Sequence, residues 1–533
     1  MNQQIRVRIL QLAVITGICG FLFFFGLGAF GLVGADEPRY AQIAREMFTR
    51  HDWIVPTLNG QPWLEKPAFL YWKMMNSYGI FGVADWAARV PAAAHALTLV
   101  LVVFFFMRRF RPGTEMDAAL ITASSAAIIG FARGASTDML LSSHFAMAML
   151  AWWAWHVTRR KIWLAFFYTL LSLGALSKGP VAPALAVLMV GAYALLRRDK
   201  KAFLGSLWWP GFLLFFAIAL PWYVAVQIKA PQFFGIFFIE HNLERFGTNL
   251  YQHSQPFWYY IPVFLLSMLP WTVFTIMAIV QSGKSEIRRL RTREVEDGRD
   301  DGLQLFLLLW MIIPIFFFSI SRSKLPGYIL PAIPAAALLT ADYLHRSLLP
   351  LKRWAMVLHS MICGSLVAAA LLAPSRILKV HPAQNVQAAV LLGAGVMAVL
   401  VLLIVRLGGP GVLHFATLIP VIVVLAFLLR PAAPVIDEAN SARTVDAQLR
   451  HLGAPPGPIA VFNVKREVEY GLNFYRNQPI GRYERDGIPQ ESHLLVAREG
   501  NKDAVQALVG SRQIALFGSF PPQHLEFFLV SKR

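Results

Sequence analysis

The sequence is poor in cysteine and in charged residues, and each shortage excludes a class of protein. Only two of the 533 residues are cysteine, and both Cys19 and Cys363 fall within apolar runs. This excludes a disulfide framework and a thiolate metal centre. Charged residues make up 15% of the chain and hydrophobic residues 56%, with a mean hydropathy of +0.52. That balance excludes a soluble globular protein and indicates a polytopic membrane protein.

Acidic residues are outnumbered by basic ones, and the net charge is +19. Residues 431–533 are nearly balanced in charge, so the surplus of Lys and Arg lies within residues 1–430, among the apolar runs. Topology signals and anionic lipid headgroups explain a surplus there better than nucleic acid does. The expected surroundings are therefore membrane lipids, and no nucleic-acid partner is predicted.

Apolar runs long enough to cross about 30 Å of hydrocarbon fill the first 430 residues. The first run covers residues 9–34. Because the apolar core of a signal peptide has only about 7–15 residues, this run is interpreted as an uncleaved span. Thirteen spans are predicted, at 9–34, 88–107, 116–134, 137–157, 161–176, 180–197, 205–228, 258–281, 303–320, 327–345, 354–373, 386–406 and 411–430.

Lys and Arg cluster in alternate loops between these runs. The clusters begin with Arg6 and Arg8 and recur at 108–111, 159–161, 197–201, 284–299, 346–353 and Arg406. The positive-inside rule places them, and the N-terminus, in the cytoplasm. With an odd number of spans the C-terminal region lies outside. The predicted location is the inner membrane of a bacterium, with residues 431–533 in the periplasm.

Two of the outer loops are long and rich in aromatic residues. Residues 35–87 are predicted to contain amphipathic helices near 38–50 and 66–81, and residues 229–257 carry four phenylalanines beside His241. Such segments are typical of the membrane interface. Stacking of the aromatic rings on a sugar is the alternative interpretation.

The apolar runs stop after Arg430. Residues 431–533 are predicted to form a helix at 437–452, strands at 459–464, 494–497, 514–517 and 527–530, and a helix near 501–509. The predicted fold class is therefore an all-α polytopic membrane domain, residues 1–430, followed by a small α/β domain, residues 431–533. No catalytic constellation is found in the second domain, and regulation, acceptor docking and stability are all open roles for it.

Charged side chains gather at the outer ends of the runs, where the positive-inside bias should leave few cations. The cations are Lys66, Arg133, Lys178, Arg245, Arg322 and Lys324, and the nearby acids and histidine are Asp36, Glu37, Glu65, Asp138, Glu240, His241 and Glu244. Singly, each could be a snorkelling or loop charge, and Asp36 could cap a helix whose first turn contains Pro38. Together, cations beside carboxylates at a membrane surface suit a lipid-linked phosphate.

The motifs in these loops resemble those of a known family. They are Asp36-Glu37-Pro38-Arg39-Tyr40-Ala41, Asp52-Trp53-Ile54-Val55-Pro56, Glu65-Lys66-Pro67 with Leu70-Tyr71-Trp72, and Ser323-Lys324-Leu325-Pro326-Gly327-Tyr328. The sequence resembles the aminoarabinose transferases and related GT-C glycosyltransferases, which include the protein O-mannosyltransferases. The resemblance spans essentially the whole membrane part and implies a GT-C fold.

The resemblance also implies roles for individual residues. Asp36 would be the catalytic carboxylate and Asp138 a second acidic residue of the active site. Lys66, Lys178 and Arg245 would bind the polyprenyl phosphate, with Arg322 or Lys324 assisting and with Arg39 and Tyr71 as further donor-binding candidates. Glu65 and His241 would hold a divalent metal such as zinc, although no cofactor is expected to be required. Glu37 or Glu65 could take part of the role assigned to Asp36.

The resulting hypothesis is transfer of one sugar from a polyprenyl-phosphate donor to lipid A, another glycan or a protein, and the resemblance implies a single displacement with inversion. A nucleotide-sugar donor is disfavoured because the cytoplasmic loops lack a glycine-rich phosphate-binding motif. The alternative is a transporter or flippase of a lipid-linked sugar. A carrier should place ionisable residues along a path through the spans. The predicted spans are nearly free of such residues, and Asp342, near the cytoplasmic end of its run, is an exception.

Overall fold

The structure is a computed structural model that describes residues 3–244, 255–292, 302–346 and 352–532. Its first part is a bundle of helices, because long apolar segments must satisfy their backbone hydrogen bonds internally. In chain order, the helices of residues 3–229 are α1 Gln3–Cys19, continued by a π-helix at Gly20–Phe24, α2 Asp36–Arg50, α3 Phe69–Phe81, α4 Asp85–Phe110, α5 Glu115–Ser124, α6 Ala126–Ala132, α7 Thr137–Thr158, α8 Lys161–Lys178, α9 Val181–Arg197, α10 Lys200–Ser206 and α11 Trp209–Lys229.

The bundle continues through a second series of helices. These are a π-helix at Gly235–Glu244, a 3₁₀ turn at Phe257–Tyr259, α12 Tyr260–Ser267, α13 Thr272–Thr292, α14 Leu303–Ile320, a 3₁₀ segment at Pro326–Ala332, α15 Ile333–Arg346, α16 Arg353–Ile377, α17 Gln384–Gly408, a 3₁₀ turn at Pro410–Val412 and α18 Leu413–Leu429. A short hairpin, β1 Thr57–Leu58 and β2 Gln61–Pro62, lies between α2 and α3.

Eight helices of the described chain are long and apolar enough to cross a membrane, and two bent pairs would raise that number to ten. The pairs are α5 with α6, bent by 62°, and the segment 257–267 with α13, bent by 118°. Each of the thirteen predicted runs coincides with a helical region, but the number of thirteen spans stays a prediction. The chain is a multi-pass membrane protein.

The two helices predicted in the first long loop are present as α2 and α3. Most of α2 is buried, including Tyr40, Ala41, Ile43, Ala44 and Met47. Tyr71 and Tyr78 of α3 are also buried, and the Tyr78 hydroxyl donates to the Ala41 carbonyl at 3.1 Å. The pair is therefore packed into the bundle at the end where residues 31–60 lie, which we call the pocket end.

The C-terminal part is a small α/β domain, as predicted. Its helices and strands are α19 Ala433–Asn440, α20 Ala442–His451, β3 Ile459–Phe462, α21 Arg466–Arg476, β4 Ile480–Arg482, α22 Tyr483–Asp486, β5 His493–Arg498, α23 Lys502–Val509, β6 Ile514–Phe520, a 3₁₀ turn at Pro521–Gln523 and β7 Leu525–Val530. The five strands β3–β7 form one sheet in the order β4-β3-β5-β7-β6, in which β3 is parallel to both β4 and β5. An apolar cluster covers each face of this sheet.

The prediction of one helix over 437–452 is wrong. Ser441 is extended and divides the segment into α19 and α20, and its side chain accepts a hydrogen bond from the Arg443 amide. A serine oxygen that satisfies a free amide at a helix start is a standard N-cap. The prediction also missed α21 and β4. The division of the chain at residues 430 and 431 stays a prediction.

The C-terminal domain is joined to the pocket end by partly buried polar contacts. Arg443 donates to Asp437 at 2.5 Å and to Asp85, at the start of α4, at 3.1 Å. The Leu32 amide donates to the Tyr475 hydroxyl at 2.8 Å. A Cβ atom on Gly31 would lie 2.3 Å from Ser441 Oγ, so the backbone can approach this closely only at a glycine.

Candidate active site

Five segments of the chain meet in one small pocket. Its lining residues come from the start of α2, the loop before α3, the start of α7, the end of α8 and the Pro326–Ala332 segment. They are Asp36, Arg39, Tyr40, Glu65, Lys66, Thr137, Asp138, Lys178, Leu325 and Tyr328. The two predicted catalytic acids and two of the predicted phosphate-binding lysines therefore lie in the same place.

Asp36 is the most accessible of the pocket acids. Its side chain is 57% exposed and accepts a hydrogen bond from Arg39 Nη2 at 2.5 Å. The N-cap position of α2 is Ala35 rather than Asp36, so the alternative in which Asp36 caps the helix is not what the structure has. An exposed carboxylate held by a guanidinium is accessible to an incoming group.

Glu37, next in sequence, is committed to the structure instead. It is buried and forms a two-pronged ion pair with Arg89 of α4, at 2.7 Å and 3.1 Å. The Val33 amide and the Ala135 amide donate to the same carboxylate at 2.9 Å and 2.6 Å. Four donors occupy its oxygens, and Glu37 is not among the residues that line the pocket.

Asp138 and Lys178 form the other side of the pocket. They are joined by an ion pair between Lys178 Nζ and Asp138 Oδ1, and the Lys178 side chain is only 16% exposed and the Asp138 side chain 18%. The Lys178 ammonium also lies 4.7 Å from the centroid of the Tyr328 ring, a cation–π contact. Asp138 and Tyr328 together hold the lysine at the pocket wall.

Gly327 allows this arrangement because a side chain there would collide with it. A Cβ atom at Gly327 would lie 2.8 Å from the Phe131 ring and 3.0 Å from Asp138 Cγ. Gly327→Ala is expected to displace Asp138 and lower turnover about 10- to 100-fold, since small misplacements of reacting groups cost this much. Initial rates of the sugar transfer that the sequence resemblance implies measure the effect.

The matched control is Gly283→Ala, because a Cβ atom there meets nothing within 4 Å. It lies in α13, where alanine favours the helix over glycine. Equal rates for the two variants would contradict the importance of the close approach at Gly327.

Arg39 and Tyr71 occupy the inner side of the pocket end. Arg39 lines the pocket itself, 4.0 Å from Glu65. Tyr71 is buried behind it, packs edge-on against Tyr40 and has no hydrogen-bond partner for its hydroxyl. Burial raises the pKa of Tyr71 above its usual value, so the hydroxyl stays protonated and can donate a hydrogen bond.

Three other predicted cations lie within the described residues but do not line this pocket. Arg133 donates to the carbonyls of Leu22 and Gly26, at 3.2 Å and 2.9 Å. Lys324 is buried and donates to the Ser321 carbonyl at 2.5 Å, and Arg322 is exposed. Arg245 lies outside the described residues. The phosphate-binding role of Arg245 and the assisting role of Arg322 or Lys324 stay predictions.

Glu65 and His241 are close enough to share a metal ion. His241 Nε2 lies 3.9 Å from Glu65 Oε1 and 4.0 Å from Glu240 Oε1. Two ligands at about 2.0–2.2 Å from one zinc ion fit such a separation. No set of three or more His, Cys, Asp and Glu residues suited to a metal occurs in the described part of the chain, so water or substrate would have to complete the coordination.

Sequence reasoning missed several members of the site. Tyr328 and Leu325 belong to a motif that was recognised, but no role followed from it. Arg89 sits at the outer end of a predicted span, so the bias that drew attention to the other cations could also have found it. Tyr40 likewise belongs to a recognised motif without an assigned role, and Thr137 gave no signal in the sequence.

The membrane part matches a known family model. Residues 19–237 match the family described as dolichyl-phosphate-mannose-protein mannosyltransferase. This region contains Asp36, Lys66, Asp138 and Lys178. It is less than half of the chain.

The whole chain is similar in fold to two solved structures. They are crystal structures of ArnT from Cupriavidus metallidurans, one in the apo state and one bound to undecaprenyl phosphate, each with a TM-score of 0.74 and 22% identity. The alignment with the bound structure covers 97% of both chains. The chain is thus a multi-pass membrane protein whose fold is similar to that of ArnT.

In sequence, the chain is similar to undecaprenyl phosphate-alpha-4-amino-4-deoxy-L-arabinose arabinosyl transferases. It is 32% identical over 319 residues to the protein from Edwardsiella ictaluri, covering 58% of this chain and 55% of that one. It is 31% identical over 360 residues to the protein from Enterobacter sp., covering 65% and 62%. The chain thus matches little more than half the length of these relatives. The resemblance predicted from the motifs is confirmed.

Proposed function

We propose that this protein transfers a sugar from a polyprenyl-phosphate donor to an acceptor at the membrane surface. The observation that carries the proposal is the meeting of Asp36, Lys66, Asp138 and Lys178 in one pocket. The relatives' names suggest 4-amino-4-deoxy-L-arabinose as the sugar and undecaprenyl phosphate as the carrier. Lipid A is the proposed acceptor, with another glycan or a protein as alternatives.

An apolar groove beside the pocket suits the prenyl chain of such a donor. It has a volume of about 710 Å³ and is lined by α8, α9, α11 and the phenylalanines at 233, 234 and 238. Pro180 lines the groove, and Lys178, two residues away, lines the pocket. A prenyl chain in the groove would therefore place its phosphate beside a lysine.

The proposed reaction is a displacement at the anomeric carbon of the sugar. The bond from that carbon to the donor phosphate oxygen breaks, and its electron pair stays on the phosphate while an acceptor oxygen bonds to the carbon. Lys66 and Lys178 stabilise the growing negative charge on the leaving phosphate. Asp36 accepts the proton of an acceptor hydroxyl. If the acceptor is itself a phosphate, Asp36 only positions it.

A metal at Glu65 and His241 would supply a positive charge that links the loop before α3 to the Gly235–Glu244 segment. The steps above are assigned to side chains of the chain and do not depend on it. We keep this site as a proposal, with zinc as the ion that its nitrogen and oxygen donors suit.

Purified protein tests the proposal directly. It is mixed with synthetic undecaprenyl-phosphate-linked sugars and a panel of lipid A, glycan and peptide acceptors. The expected result is a glycosylated acceptor and free undecaprenyl phosphate, with no transfer from nucleotide sugars. Movement of the lipid-linked sugar across vesicle bilayers without any transfer would favour the carrier instead.

Lys66→Ala is expected to raise the apparent KM for the donor about 10- to 100-fold. A hydrogen bond between a charged amine and phosphate contributes about 1.5–3 kcal/mol, which corresponds to this range. Donor titrations at saturating acceptor measure the effect. Lys502→Ala, on the exposed surface of the C-terminal domain, is the control. An unchanged KM in Lys66→Ala would place the phosphate site elsewhere.

We also propose that the pocket end faces the periplasm and that the protein lies in the bacterial inner membrane. The two native cysteines are buried, so engineered cysteines can be labelled against a low background. A maleimide that cannot cross the inner membrane is expected to label Lys66→Cys and Asp503→Cys in intact cells. Arg406→Cys should react only after the membrane is opened. Labelling of positions 66 and 406 from the same side would contradict this orientation.

A further inference from the structure

We propose that Tyr470, from the C-terminal domain, is a positioning residue for Arg39 and so completes the active site. This inference rests on the proposed function for its activity measurements. The centroid of the Tyr470 ring lies 5.5 Å from the Arg39 guanidinium carbon. The same carbon lies 5.0 Å from the centroid of the Trp63 ring and 5.3 Å from that of Tyr40. Three aromatic rings thus surround the guanidinium.

These rings matter because Arg39 has few polar partners. Its side chain is only 10% exposed, and its ionic contacts are Asp36 at 2.5 Å and Glu65 at 4.0 Å. Its Nε atom is buried without a hydrogen-bond partner. A guanidinium with one strong hydrogen bond can rotate about it, whereas aromatic faces fix its plane and position through cation–π contacts that strengthen on desolvation.

Tyr470 itself is held firmly against α2. Arg45 donates to the Phe474 carbonyl at 2.7 Å and stacks over the Phe474 ring at 4.3 Å. Asn473 donates to Asn59 Oδ1 at 2.8 Å. On the other side of α21, a Cβ atom at Gly471 would lie 2.4 Å from the Ala442 side chain. Contacts on both faces prevent α21 from sliding along α2.

Asp36 is therefore oriented through a chain of contacts that begins in the C-terminal domain. Tyr470 fixes Arg39, and Arg39 holds the carboxylate that meets the acceptor. The domain, for which the sequence left regulation, docking and stability open, contributes a wall of the pocket end. If the C-terminal domain moved away from the pocket end, Arg39 would lose its contact with Tyr470, whereas Lys66 and Lys178 would keep their positions.

The test compares Tyr470→Leu, Tyr470→Phe and Tyr483→Leu in the full chain. Leucine fills most of the space without an aromatic face, and phenylalanine keeps that face. Tyr470 and Tyr483 are both 7% exposed and belong to the same domain, but Tyr483 contacts His493 rather than the pocket. For Tyr470→Leu, kcat is expected to fall about 20-fold, the size of a desolvated cation–π contact. Its donor KM should change less than threefold.

Tyr470→Phe should restore nearly the full rate, and Tyr483→Leu should keep its kcat even where it lowers thermal stability. Full activity of Tyr470→Leu, or an equal loss of rate in all three variants, would overturn the inference. Absence of transfer by the wild-type protein from every donor would instead refute the proposed function. An experimental structure of Tyr470→Leu then decides the matter. A displaced Arg39 supports the positioning role, and an Arg39 that keeps its contacts with Trp63 and Asp36 refutes it.

Discussion

Asp36→Asn is expected to lower the rate of sugar transfer about 10³-fold without a large change in stability. Asparagine keeps the size of the side chain and can still accept the hydrogen bond from Arg39, but it cannot take up a proton. Loss of a general base costs about 10²–10⁴ in rate. The carboxylate is more than half exposed, so its neutralisation should cost little folding free energy. Single-turnover rates at saturating donor measure the effect.

Asp503→Asn is the matched control, since it makes the same chemical change on an exposed helix of the C-terminal domain. It should behave as wild type. Retained turnover in folded Asp36→Asn would assign the base to another group, and Glu65, which lines the same pocket, would be the next candidate. With a phosphate acceptor, a loss that appears mainly in acceptor KM would show that Asp36 positions the acceptor.

Arg89→Met is expected to destabilise the protein by about 3–5 kcal/mol, the cost of leaving one partner of a buried ion pair unpaired. Arg89 is 1% exposed. It donates to Glu37 and to the carbonyls of Leu27, Phe30 and Gly31. The variant removes the Arg89 donor from each of these buried acceptors. A lower midpoint of thermal unfolding in detergent, followed by tryptophan fluorescence, is the measurement.

Arg406→Met, at an exposed helix end, provides the control and should unfold at the wild-type temperature. The double variant with Glu37→Gln should recover part of the lost stability, because the neutral amide is easier to bury than an unpaired carboxylate. If Arg89→Met unfolds like wild type, the ion pair contributes little to holding the pocket end together.

The membrane part was predictable because hydropathy and positive charge are read directly from the chain. Every predicted run falls on a helix, and α2 and α3 begin within three residues of the predicted positions. The C-terminal domain was predicted less completely. Its α21 and β4 were missed because short amphipathic segments carry a weak periodic signal. The break at Ser441 was missed because a single serine within a helical pattern does not by itself indicate an N-cap.

The site was predictable where a motif could be recognised and unpredictable where long-range contacts decide. Asp36, Lys66, Asp138 and Lys178 were named from motifs and lie together. Arg133 and Lys324 have the same charge but donate to nearby carbonyls, and composition cannot distinguish a cation that binds backbone from one that faces a ligand. The contact of Tyr470 with Arg39 joins residues 431 positions apart, so no local pattern could have revealed it.

The Glu37 carboxylate has a consequence for protein engineering. It binds Val33, Arg89 and Ala135 at once, and these three residues come from three different segments. Transplanting the first loop from a related protein would separate Glu37 from partners that stay behind. A working chimera must therefore exchange the loop together with the start of α4 and the turn before α7.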